Sequence, residues 1–148
     1  MKKFKYRLEA LLKAKEYIEK EKQKQHAAAL QQVYNQQQDL NQIDQDKQTT
    51  LSRQRQGMTG SMSIAEMLVY SRYILKLKRD MLAGGELLKV LNKAEQEKRQ
   101  SLVKASKERK VYEKLKERRR EQYENDVRVQ ITKENDEIAI NSYRQKEG

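Results

Sequence analysis

Apolar residues recur along the first third of the chain at helical spacing. Phe4, Leu8, Leu11 and Ile18 follow one another in steps of four, three and seven, a heptad series. Between Ile18 and Leu30 the seam advances through 18, 22, 26 and 30. Three consecutive steps of four make a stutter, which locally unwinds a left-handed supercoil. Leu30, Val33, Leu40, Ile43 and Leu51 carry the series onward. The pattern predicts a first helix over about 4–55. A second series, Met67, Tyr70, Ile74, Leu77, Met81, Leu88, Leu91, Leu102, Ala105 and Tyr112, predicts a second helix over about 63–140, then a short tail.

The only strong break between them is Gln56-Gly57-Met58-Thr59-Gly60-Ser61, so the turn is expected at about 56–62. Gly57 is placed to end the first helix in the left-handed region. Ser63-Ile64-Ala65-Glu66 matches a capping box, with Ser63 as the N-cap and Glu66 reaching back, and Met62 and Met67 occupy the staple positions around it. Gly84-Gly85 interrupts the second helix, at about 1 kcal/mol each relative to Ala.

A register test joins the two helices. If the chain folds back at the turn, residue i faces about 120 − i. Ile43 then meets Leu77, Leu40 meets Met81, Leu30 and Val33 meet Leu91, Leu88 and Leu87, Ile18 meets Leu102 and Leu8 meets Tyr112. Apolar meets apolar over nearly the whole length. Gln36–Gln38 face the glycine pair, and Tyr34 is placed to use the space there. The expected fold is all-α: one long antiparallel two-helix coiled coil, a helical hairpin of roughly 75–80 Å at about 1.5 Å per residue. Helix two outlasts helix one, so residues 118–140 overhang. There Tyr123, Val127, Ile131 and Ile138 lie within about 80° of one another at 100° per residue, an apolar stripe with no partner in the hairpin.

Composition agrees with long helices. Of 148 residues, 37% are charged and 36% hydrophobic; there is no Pro, Cys or Trp, and Gly occurs five times. The lack of Cys and the single His26 exclude thiol chemistry and the usual zinc and iron–sulfur sites. Neither a metal nor any other cofactor is expected. Paired carboxylates such as Asp44 with Asp46 sit at spacings that do not face each other on a helix, a two-helix coil has no concave pocket, and no phosphate-binding glycine motif occurs. The chain therefore reads as a non-enzyme without catalytic residues. No run reaches the ~20 apolar residues of a membrane span, and Lys13, Lys15 and Glu16 break the only candidate signal core. A cytoplasmic location follows as the expectation.

The net charge of +11 is concentrated. Residues 1–24 carry nine basic against four acidic groups, and residues 97–121 carry eleven against five. The register brings both segments to the open end of the hairpin. An acidic partner can use such a tip. Arg118, Arg119 and Arg120 are able to line phosphates, but Glu108, Glu113, Glu117 and Glu121 thread the run at ion-pairing spacings and no base-reading motif follows, which argues against nucleic acid.

Three stretches, in order, resemble the FliJ family of flagellar export components. They are Phe4-Lys5-Tyr6-Arg7-Leu8-Glu9-Ala10-Leu11-Leu12, the turn region with Met62-Ser63-Ile64-Ala65-Glu66-Met67, and the late Tyr112-Glu113-Lys114-Leu115-Lys116-Glu117-Arg118-Arg119 with Lys133-Glu134-Asn135-Asp136-Glu137-Ile138-Ala139. The resemblance implies a stalk-like coiled coil that binds the hexameric export ATPase, the cytoplasmic domain of the membrane export gate FlhA, and export chaperones, at the inner face of the cell membrane. It implies an ATPase contact at the end carrying both termini, where Phe4, Arg7, Leu8, Leu11, Arg118, Arg119, Tyr123, Val127 and Ile131 gather. It implies a gate contact early in helix two, where Tyr73 and Leu77 match the family and Asp80 and Gly84 depart from it. The alternatives are the stalk of a related injectisome and a basic coiled-coil module for nucleic acid. Because the register satisfies the seam within one chain, small-angle scattering is expected to give a maximum dimension far above that of a compact sphere of this mass; a globular profile would overturn the hairpin.

Overall fold

The structure, a computed structural model, describes residues 2–148. It contains two helices, α1 (Glu9–Met58) and α2 (Ile64–Glu147), and no strand among the described residues. The fold is all-α, two long helices packed on each other as an α-helical hairpin. The chain divides into two compact units, one of Met1–Lys20 with Lys104–Gly148 and one of Glu21–Val103. In the first, Glu9 meets Lys116, Lys15 meets Glu108 and Glu19 meets Ser106, so one number falls as the other rises. In the second, His26 meets Glu95, Gln36 meets Gly84 and Gln54 meets Ser71. The packing is antiparallel in each. The summed positions run from 120 (Gln36, Gly84) to 125 (Gln54, Ser71) in the second unit, close to the predicted register.

The seam of α1 differs from the expected one. Among its covered positions, 12, 15, 19, 22, 26, 29, 33, 36, 40, 43, 47, 50, 54 and 57 alternate steps of three and four, with Glu9, Glu16, Glu21, Asp46 and the expected Leu51 half-buried beside them. There is no stutter. Leu8, Leu11, Ile18 and Leu30, expected inside, are exposed, while Leu12, Glu19 and Ala29 are buried. The apolar marks misled because several true seam positions are polar and find partners across the interface. The α2 seam is the expected one: Met67, Tyr70, Ile74, Leu77, Met81, Leu88, Leu91, Leu102, Ala105 and Tyr112 are all half-buried or buried.

The helix ends also shift. α1 starts at Glu9, not near Phe4, because the preceding residues are held by side-chain bonds to α2 described below. Glu9 in its first turn suits the positive end of the helix dipole. α2 continues to Glu147, past the expected end near 140, with Arg144 and Lys146 in its last turn complementing the negative end. Gly57 does not end α1 in the left-handed region; no described residue has positive φ. Its value is space, since a Cβ there would overlap the Met62 side chain. The capping box forms as predicted: Glu66 N–H donates to Ser63 Oγ at 3.2 Å and Ser63 N–H donates to Glu66 Oε2 at 3.3 Å.

The glycine pair has two different roles. Gln36 Nε2 donates to the Gly84 carbonyl at 3.1 Å, and a Cβ on Gly84 would stand 2.6 Å from Leu40 Cδ2. Leu40, not Tyr34, fills the space; Tyr34 is exposed. A Cβ on Gly85 meets nothing within 4 Å. Gly85→Ala is therefore expected to stabilise by about 0.5–1 kcal/mol through helix propensity alone. Gly84→Ala adds the same propensity but displaces Leu40, so urea unfolding should show no gain for it.

Candidate functional site

The first unit carries the most chemically distinctive surface. Residues 2–8 precede α1 as an arm whose aromatic side chains tie it to α2. Tyr123 OH donates to the Lys2 carbonyl at 2.6 Å, and the Phe4 and Tyr123 rings lie 5.7 Å apart at 44°. This is a tilted aromatic contact in the favourable range. Tyr6 OH donates to the Tyr112 carbonyl at 3.0 Å, and Glu9 N–H donates to the Tyr6 carbonyl at 3.2 Å. Tyr123 is thus covered by the arm, so the overhang starts later than residue 118.

Contrary to the expectation that the coil has no concave pocket, a groove of about 580 Å³ lies around the aromatic pair, lined by Phe4, Lys5, Tyr6, Arg7, Leu8, Arg119, Gln122, Tyr123 and Asp126, because the arm packs beside α2 there. Lys2, Lys3 and Lys5 flank the same two rings on another side. Arg118 and Arg119 are exposed, and no carboxylate lies within 4.0 Å of either among the described residues; Arg120 pairs with Glu124 at 3.2 Å. Of the nine residues expected at this end, Phe4, Arg7, Leu8, Arg119 and Tyr123 line one groove. Leu11 and Arg118 are exposed outside that lining, Val127 is half-buried, and Ile131 is exposed. Every residue beyond Val127 is exposed, so the later part of the stripe has no cover within the chain.

Further along the same unit the seam is ionic. Arg109 Nε donates to Glu19 Oε2, and Arg109 Nη1 donates to Glu113 Oε2 at 2.6 Å. Ser106 Oγ donates to Glu19 Oε1 at 3.1 Å, which satisfies the second oxygen of a buried carboxylate. Lys15 pairs with Glu108 at 3.1 Å and Lys116 with Glu9 at 2.8 Å. The hydrogen bond that Arg109 donates to Glu19 raises the Arg109 pKa above its ordinary value, so the guanidinium is charged at every working pH. In the second unit His26 Nε2 lies 2.8 Å from Glu95 Oε1, so His26 is a seam residue with a partner.

Sequence reasoning overlooked these pairs, although its own register contained them. His26 and Glu95 sum to 121, and Lys15 and Glu108 to 123. Applying the facing rule to charged seam positions finds them. The gate-side expectation divides: Tyr73 is exposed, whereas Leu77, 4% exposed, is core. Among the described residues no group of three or more His, Cys, Asp or Glu side chains is placed to hold a metal, and no helix is long and apolar enough to cross a membrane.

Residues 4–148 match the family model described as Flagellar FliJ protein. No curated protein and no solved structure matches the chain.

Glu19→Ala is expected to lower the thermal midpoint, because it leaves Arg109 without its seam partner. Glu19→Leu combined with Arg109→Leu should recover the loss, since Glu19 is buried and Arg109 half-buried, and apolar replacement of an ion pair largely withdrawn from water is often neutral or stabilising. A double variant melting no higher than Glu19→Ala would show that the pair is not the cause.

Proposed function

The chain belongs to the FliJ family of flagellar export components, and from that premise we propose that it acts as a non-enzymatic stalk and linker, binding the hexameric export ATPase through the first unit. The observation that carries this reading is the juxtaposition of a half-buried aromatic pair, free arginines and an apolar stripe that is exposed beyond Val127. Phe4, Arg7, Leu8, Arg119 and Tyr123 converge on one groove, and Val127 and Ile131 continue along the same helix. Apolar side chains of this size stabilise a contact by about 1.5–3 kcal/mol each when fully buried. Exposed arginines beside them would steer an acidic partner surface and raise the association rate at low salt. Arg118 and Leu11, exposed nearby in sequence, extend the surface. The ring supplies the ATP chemistry, and this chain fills and orders it.

The second contact is with the cytoplasmic domain of the export gate FlhA, at the inner face of the cell membrane. Tyr73 is the side chain available for it. Leu77 supports that contact from within the core, by fixing the helix on which Tyr73 stands. Export chaperones complete the set of partners.

Val127→Asp with Ile131→Asp is expected to leave melting nearly unchanged, because neither side chain is core, while abolishing stimulation of ATPase assembly. Stimulation at the wild-type level would remove the stripe from the ring contact. Tyr73→Ala should weaken gate binding by about tenfold with helicity unaltered; unaltered affinity would overturn the assignment of Tyr73.

A further inference from the structure

A second apolar stripe runs along the outer face of α2 in the second unit, and neither the seam nor the proposed contacts use it. Ile64, Leu68, Leu75 and Leu82 are 78%, 51%, 53% and 73% exposed. At about 100° per residue they fall within about 40° of one another. The buried seam residues Ile74 and Leu77 lie about 100° and 160° away from Leu75 around the helix, so the stripe faces solvent. Tyr73 is about 160° away, on a different face. Four large aliphatic side chains in one line are far more than solubility favours on a solvated helix.

The rim of the stripe is cationic on both sides. Arg72 and Arg79 border one edge and Lys78 and Lys89 the other, all exposed. The acid on this face, Glu86, is paired with Lys89 at 3.3 Å. No carboxylate lies within 4.0 Å of Arg72, Lys78 or Arg79 among the described residues. An apolar line with spare positive charge along its edges is complementary to one shape and one sign.

We propose that this face binds an acidic amphipathic helix of a protein partner. Leu68, Leu75 and Leu82 are spaced by seven residues, the repeat that a second helix presents when its apolar residues also recur every seven. From Ile64 to Leu82 the stripe extends about 27 Å, which a partner helix of about 18 residues spans. Glutamates or aspartates beside the partner's apolar line meet Arg72, Arg79 and Lys78. A lipid surface requires a broad apolar face, and this one is a narrow line between cations. Nucleic acid would engage the cations and leave the leucines in water.

The test uses the full chain and a fluorescent 18-residue helical peptide with leucines every seven residues and glutamates along both flanks. Its controls are a scrambled peptide of equal composition and a version with lysine in place of glutamate. The glutamate peptide is expected to bind at least about tenfold more tightly than either control, and less tightly as salt rises. Leu68→Gln with Leu75→Gln should lose that binding with melting unchanged, because both side chains are exposed. Arg72→Glu with Arg79→Glu should lose the glutamate peptide and acquire the lysine one. Equal binding of all three peptides, or unchanged affinity in the leucine variant, overturns the proposal. So does preferential binding to anionic vesicles, or a sedimentation mass of two copies that halves on Leu68→Gln with Leu75→Gln, since lipid or a second copy would then be the occupant.

Discussion

Two helices that meet along a seam repeating every three and four residues can bury only what lies on that seam, and here the seam is short of apolar residues. Along α1 it includes Lys15, Glu19, Lys22, His26, Gln36, Lys47, Thr50 and Gln54. Each must find a partner or a route to water. Glu19 finds Arg109 and Ser106, His26 finds Glu95, Gln36 finds the Gly84 carbonyl, and Thr50 Oγ donates to the Asp46 carbonyl at 2.7 Å. No buried side-chain nitrogen or oxygen lacks a partner among the described residues. Within each unit these pairings favour the observed register, because a shift of one turn would separate Glu19 from Arg109 in one and His26 from Glu95 in the other.

The same scarcity places apolar residues on the outside. Side chains that a compact domain would gather into its core stand here in lines on the surface. One line runs past Tyr123 toward Ile138, and another runs through Ile64, Leu68, Leu75 and Leu82. Such exposed lines are surfaces that another protein can cover, in a chain that belongs to the FliJ family of flagellar export components. The arm before α1 adds a local device: two tyrosine hydroxyls bound to backbone carbonyls, and one aromatic contact, hold an irregular segment against a helix.

Much of this was legible in the residues themselves. The absence of proline, the break at residues 56–61, the Ser63–Glu66 capping box and the α2 seam are local properties, and period or turn chemistry reveals them without knowledge of any neighbour. The facing rule near 120 followed from the position of the turn alone. The concentration of cations near both Phe4 and Arg118, and the stripe after Tyr123, were equally matters of counting.

What only the tertiary structure decided was which face of α1 turns inward and where its first residues go. Leu11 and Leu12 are adjacent leucines, so hydropathy does not choose between them. The choice falls to Leu12 in the arrangement that also sets Glu19 against Arg109 in the same unit. Likewise nothing local stops a helix at Phe4; its ring leaves the helical path because Tyr123, far along the chain, offers a surface to stack on. Periodicity records what a helix prefers by itself, whereas a polar seam residue is buried only when its partner is already in place.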